Sequence, residues 1–251
     1  MPNRADTPPP AAEPSPHGAA IELLRQHSLT SLVLRELERQ ILSGKRACGD
    51  KLNEAEIAAA LRVSRGPVRE AFRALEQAGL VRTEKNRGVF VRHVSLEEAN
   101  EIYEVRAALE GLIGRLAAKR IRPEQVEKIR AVVKKMHAVG RRNGQAGDAE
   151  AYYPLNVQFH ELLCEAAGNK ALQANYRRVV NELDLYRRET ILRSAESIPA
   201  STRDHGAIVN AVAKGDEKLA ERLLYEHVID SRERLHLALK RPRTRITSEA
   251  A

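Results

Sequence analysis

Tryptophan is absent, and six tyrosines and three phenylalanines bring the aromatic share of the 251 residues to only 4%. That scarcity argues against a protein that grips single-stranded nucleic acid by stacking bases on aromatic faces. Cysteine is nearly absent too. Cys48 and Cys164 stand far apart, form no paired metal or redox motif, and fit a reducing cytoplasm better than a disulfide-bonded fold. No apolar run approaches the ~20 residues that span a membrane. Residues 1–19 hold six of the eleven prolines and read as a disordered lead without the apolar stretch of a signal peptide.

What is present is positive charge, and it is local. The chain carries a formal net charge of +8, weak evidence alone for a polyanion partner. Between Ser64 and Arg92, however, seven Lys or Arg face three acids. This stretch opens with Ser64, a good helix N-cap, and Pro67, whose missing N–H costs little in a first turn. Val68, Phe72, Leu75 and Gly79 recur at helical spacing as one buried stripe. Arg65, Arg69 and Arg73 form an adjacent stripe, and Gly66 leaves the first turn bare, so a phosphate could reach the free N–H groups there. An ordinary solvated basic face would look similar, but the flanks favour DNA. Asn53 and Glu56 make a capping box for a preceding helix, and Arg62-Val63-Ser64 is a turn of helix-turn-helix length. Strand-like runs at Leu80–Glu84 and Val89–Val91 enclose a polar hairpin at Lys85–Gly88.

Together these segments, from Leu52-Asn53-Glu54 through Val63–Ala71 to Arg87-Gly88-Val89-Phe90-Val91, resemble the N-terminal winged helix-turn-helix domain of GntR-family bacterial transcription regulators. The resemblance implies that Ser64, Arg65, Gly66 and Arg69 contact operator DNA, with Lys85, Arg87 and Gly88 of the wing reaching the minor groove. Two departures stand out. Ala55 replaces an arginine found in some members, and Arg62 replaces a turn glycine, at a cost of about 1–2 kcal/mol if the position needs positive φ.

Beyond Arg92 the alternating pattern ends and long helical segments take over. Ser95 with Glu98 opens a helix to about Lys119, and further helices are expected at Pro123–Arg142, Asp148–Ala167 and Lys170–Arg193. Ser201 or Thr202 caps a fifth, and Asp216 a last one to about Leu239. Six antiparallel helices with short turns define an all-α bundle. Asn156 and His160 share a face of the third helix, four residues apart. His205 and His227 lie on the last two, with the Gly215-Asp216 turn almost midway between them, which brings the imidazoles to one level. Three imidazoles and an amide oxygen could ligate a divalent ion, zinc first, with nickel or manganese as alternatives. The remaining histidines, His17, His27, His93, His137 and His236, read as surface or hydrogen-bonded residues.

Asn156–His160, Asp204–Ile208, Gly215-Asp216 and Glu226-His227 resemble the C-terminal helical FCD domain of the FadR subfamily. Many of its members bind a metal through one Asp or Asn and three His. The resemblance also puts Arg106 at an effector pocket, where a guanidinium fork suits a small carboxylate or phosphonate; an ion pair with Glu110 is the plainer role. Tyr152 and Asn169 are further pocket candidates, Asn169 doubling as a helix C-cap. The expected fold is therefore mainly α. Residues 20–93 form a winged helix-turn-helix, 94–239 an FCD bundle that binds effector and metal and dimerises, and 240–251 a loose basic tail. The expected protein is a homodimeric repressor that an anionic metabolite releases from double-stranded operator DNA. A bundle with a purely structural metal, or a metal-dependent enzyme, are the rivals; no general base is evident beside the histidines. Segments at Ser28–Val33 and Glu84–Val91 are similar to regulators associated with phosphonate utilisation in Burkholderia-like bacteria.

Overall fold

The computed structural model describes residues 16–140, 148–187 and 198–240. Residues 1–15 of the expected lead and 241–251 of the expected tail lie outside them. Helix α1, Pro16–Leu42, starts inside the stretch expected to be a disordered lead. Proline fits a first helical turn, and the Ala, Ile, Glu, Leu and Arg that follow favour continuation. Strand β1, Lys51–Leu52, leads into α2, Glu54–Leu61, and α3, Arg65–Gln77. Strands β2, Val81–Glu84, and β3, Gly88–Val91, form the wing. The sheet has the order β1-β3-β2, both pairs antiparallel, with Thr83 opposite Val89. The sequence showed the hairpin but not the short β1.

Local chemistry explains the turn between α2 and α3. Asn53 Oδ1 accepts from the N–H of Ala55 at 3.0 Å and of Glu56 at 3.4 Å, and its amide donates to Glu56 at 2.8 Å. Arg62 sits at φ 54°, ψ 44°, the left-handed conformation its place in the turn requires. The Val63 N–H then reaches back to Ala58 O at 3.0 Å. Two local expectations fail. Ser64 adopts N-cap backbone geometry, but its hydroxyl makes no cap hydrogen bond, since Pro67 has removed one of the first-turn donors. Gly79 does not extend the buried stripe of Val68, Phe72 and Leu75. It lies beyond the end of α3 at φ 74°, where a Cβ would meet the Glu182 side chain at 2.5 Å.

Six helices follow among the described residues: α4, Leu96–Arg120; α5, Pro123–Gly140; α6, Asp148–Ala166; α7, Lys170–Arg187; α8, Ile198–Ala213; and α9, Glu217–Lys240. The Ser95 hydroxyl caps α4 through the Glu98 N–H at 3.1 Å. The Glu98 carboxylate turns away to Arg92, so the capping box is half made. Asp216 caps α9 through Leu219 N–H at 3.0 Å. Ser201 and Thr202 cap nothing: α8 begins at Ile198, both are buried within it, and Thr202 donates to Ile198 O at 2.8 Å.

Helix α4 is the centre of the bundle, packed on α6, α7, α8 and most extensively α9. Small residues permit this. A Cβ at Gly114 would lie 2.5 Å from Ala220 O, so the two backbones touch where a side chain would stand. One apolar core fills the bundle from Ile113 and Met136 to Phe159, Leu163 and Ile208. A second runs from Leu37, Val68 and Leu75 of the winged lobe directly into Tyr103, Ala107 and Leu183 of the bundle. Arg92 spans the junction, with Nη1 2.8 Å from Glu182.

Two substitutions test these backbone constraints in urea unfolding. Arg62→Gly releases about 1–2 kcal/mol of left-handed strain against about 0.5–1 kcal/mol of added chain entropy, so a modest gain is expected. Gly114→Ala should cost about 1–3 kcal/mol, because a helix seam must open.

Candidate metal centre and nucleic-acid interface

The three histidines expected to converge do so. His160 from α6, His205 from α8 and His227 from α9 are all buried, and one ring nitrogen from each lies within 4.8 Å of the others. His205 Nε2 and His227 Nε2 are 3.1 Å apart. Behind each ring stands a group on the other nitrogen. Glu110 Oε2 lies 2.6 Å from His160 Nδ1, a short contact bent off the N–H axis. Asp204 Oδ2 is 3.3 Å from His227 Nδ1. Tyr152 donates to Ser201 at 3.0 Å, which leaves its oxygen to accept from His205 Nδ1 at 3.2 Å. At His205 and His227 the partnered Nδ1 leaves the Nε2 lone pair to face the other ring, the usual support for metal-ligating imidazoles.

Electrostatics agree with that role. Burial holds all three imidazoles below their ordinary range, His160 at about 4, so they stand neutral at pH 7, the form that binds metal. His160 Nε2 is buried with no hydrogen-bond partner, a cost that a fully satisfied interior avoids. The donor set therefore fits a divalent ion. Asn156, one turn before His160, is half-buried and lines the same cavity as His160 and Arg106. Cys164 is buried nearby on α6, its thiol pushed up to about 12 by burial, and takes no part in the cluster.

Arg106 makes the expected ion pair and also borders a cavity. Its Nε and Nη2 lie 2.8 and 2.7 Å from Glu110 Oε1, so the ion pair one helical turn away exists. Its Nη1 is left buried without a partner, and the residue lines the cavity with Asn156, His160 and Tyr176. Burial works against the Glu110 carboxylate, but His160 and Arg106 outweigh it and hold its pKa well below the usual range. The same pairing raises Arg106.

Tyr152 and Asn169 fall elsewhere. Tyr152 stands behind His205, outside the lining of that cavity. Asn169 accepts from Leu172 N–H at 3.1 Å and so caps the start of α7 rather than the end of α6. The groups the sequence did not single out for the cluster are Asp204 and Ser201, along with Glu110 in its contact with His160. Asp204 had a visible signal, an acid beside a histidine on a helix facing another histidine.

On the other lobe, Arg65, Gly66, Arg69 and Arg73 line the exposed side of α3, and a Cβ at Gly66 would meet nothing within 4 Å. Arg69 Nε lies 3.1 Å from Glu54 of α2, and Arg73 pairs with Glu70 at 2.7 Å. The wing tip turns through Asn86 at φ 63° and Gly88 at φ 110°. Lys51 and Arg87 lie 5.9 and 5.5 Å from the Phe90 ring centroid, within cation–π reach. Ser64, Lys85, Arg87 and Gly88 are all exposed.

A basic winged helix-turn-helix joined to an α bundle with a buried polar cluster is the architecture of a DNA-binding regulator with a second, C-terminal domain. Comparison with known proteins gives the family. Residues 29–91 match the model of bacterial regulatory proteins of the gntR family, and residues 101–230 match the FCD domain. The chain belongs to the GntR family of transcription regulators, with an FCD domain as its C-terminal half. It is 32% identical over 212 residues to the "Probable D-xylose utilization operon transcriptional repressor" of Paenarthrobacter nicotinovorans, covering 84% of this chain and 90% of that one. With the HTH-type transcriptional repressor RspR of Escherichia coli (strain K12), identity is 27% over 197 residues, 78% of this chain and 84% of that one. The solved structure of E. coli McbR/YncC shares the fold at a TM-score of 0.69 and 20% identity, over 84% of this chain and 98% of that one.

Removing Glu110 strands Arg106 as a buried charge. Glu110→Ala should therefore cost about 3–5 kcal/mol in chemical denaturation, and a loss below about 1 kcal/mol would show that the pair is solvated rather than buried.

Proposed function

We propose that this regulator is a homodimeric, cytoplasmic repressor that a small anionic metabolite releases from operator DNA. Asn156, His160, His205 and His227 would hold a divalent ion, zinc first by the imidazole-rich donor set. That ion, when bound, supplies a Lewis-acid anchor for an oxyanion. Beside it the free Nη1 of Arg106 is the protein's own partner for a carboxylate or phosphonate head group. The observation that carries this reading is that buried, unpartnered Nη1 in the same cavity as His160. The names of the relatives above support repression, and the regulatory character of the family supports a role without catalysis.

Within the winged lobe, Ser64, Arg65, Gly66 and Arg69 would meet the major groove, and Lys85, Arg87 and Gly88 the minor groove. Arg69 must exchange Glu54 for DNA. A recognition helix reads one half-site, so two-fold operators call for two copies of the chain. We take residues 20–93 as the DNA-binding unit and 94–239 as the sensory and dimerising unit. Effector and operator are then linked reciprocally, each changing the other's affinity by one factor.

Three measurements test this. Arg65→Ala and Arg69→Ala should each lose about 1–3 kcal/mol of discrimination between operator and unrelated DNA if they read guanine; operator binding unchanged in both variants would remove α3 from the interface. Chelation should lower the melting temperature and zinc restore it, whereas an indifferent melting curve retires the metal. Arg106→Lys keeps the charge facing Glu110 but removes the second arm. A protein that still binds operator yet no longer answers carboxylates or phosphonates separates sensing from a purely structural bundle.

A further inference from the structure

We propose that the effector site does not end at the histidine cavity: its outer half is the groove between the end of α1 and helices α6 and α7, so the effector's body touches the DNA-binding lobe. The inference rests on Arg106 as the partner of the acid head. That head end is fixed by a side chain only 3% exposed whose Nη1 has no partner. The inner cavity beside it has a volume of about 40 Å³. That is far below the range of about 300–1,000 Å³ typical of small-molecule sites, so the cavity takes a head group and little more.

Among the described residues, a larger space adjoins the inner one and offers room for the rest of the ligand. Val157, Glu161 and Asp184 line the inner cavity and also a groove of about 450 Å³, within the range of about 300–1,000 Å³ typical of small-molecule sites. Its far wall includes Leu42, the last residue of α1 and 39% exposed. Helix α1 packs against α3, so a group pressing on Leu42 acts on the element that supports the recognition helix. The walls also set the ligand's chemistry. Leu42, Pro154 and Val157 suit a carbon chain. The Glu161 carboxylate, exposed where the two spaces join, suits a hydrogen-bond donor a short way along it. The class is an organic acid with a body of several carbon atoms and a donor near its acid end.

The test uses the zinc-loaded protein with acetate, hexanoate and 3-hydroxyhexanoate, read by thermal-shift titration and by operator binding. Hexanoate should bind at least about tenfold more tightly than acetate, as expected for even part-burial of its extra methylenes, and should weaken operator binding where acetate does not. Leu42→Trp fills the groove and should erase the advantage of hexanoate while leaving acetate unaffected, with circular dichroism checking the fold. 3-Hydroxyhexanoate should exceed hexanoate, and Glu161→Gln should reduce that difference. If acetate binds and hexanoate binds no better, or keeps its advantage in Leu42→Trp, the outer half is overturned and the Arg106 reading stands. If no acid shifts a melting temperature that zinc does shift, both fall.

Discussion

One buried carboxylate holds the sensory half together. Glu110 faces Arg106 on its own helix and His160 on the next, all three nearly inaccessible. Bringing such charges out of water is expensive, and their attraction roughly repays it; the gain lies in definition more than in stability. With Glu110 fixed, the guanidinium can offer only one arm to the cavity, and the His160 ring can present only one nitrogen to its neighbours. The Arg106 guanidinium and the histidine cluster are thereby two ends of one buried charged unit. Central placement of α4 makes this possible, because only the helix surrounded by α6, α7, α8 and α9 can bury both residues at once.

Much of this was legible without coordinates, for definite reasons. The arginine helix, its apolar stripe and the wing hairpin are written in short-range periodicity, and so are the six helices of the bundle. The meeting of His160, His205 and His227 was readable because a turn midway between two residues fixes their relative height. Where reading failed, the competing interaction was either very local or very distant. Ser64, Ser201, Thr202 and Asn169 are short polar residues whose capping choices differ by one hydrogen bond, and neighbouring sequence does not decide among them. Gly79 left the expected stripe for a left-handed turn against Glu182, and Tyr152 meets Ser201; both partners lie far along the chain.

The boundary between the halves is also less sharp than the change in pattern at Arg92 implied. Apolar side chains of the winged lobe and the bundle share one core, and Asn181 of α7 donates to Ala78 O at 3.4 Å beside the Arg92–Glu182 pair. The same short piece of α7 lines the cavity through Val180, Asn181 and Asp184. One short helical segment, Asn181 included, thus touches both the cavity and the winged lobe.

The connection from β3 to α4 is short and held: Arg92 donates its backbone N–H to Leu80 O at 3.0 Å and pairs with both Glu98 and Glu182. Such a joint bends little, so α4 is a lever whose near end carries the wing. Its 25 residues reach about 37 Å at 1.5 Å per residue. A tilt of about 5° around the far end at Arg120 carries the wing end through about 3 Å on that length. That displacement is close to the spacing of successive base pairs, so a rearrangement too small to notice among the histidines is large on the scale of a DNA groove.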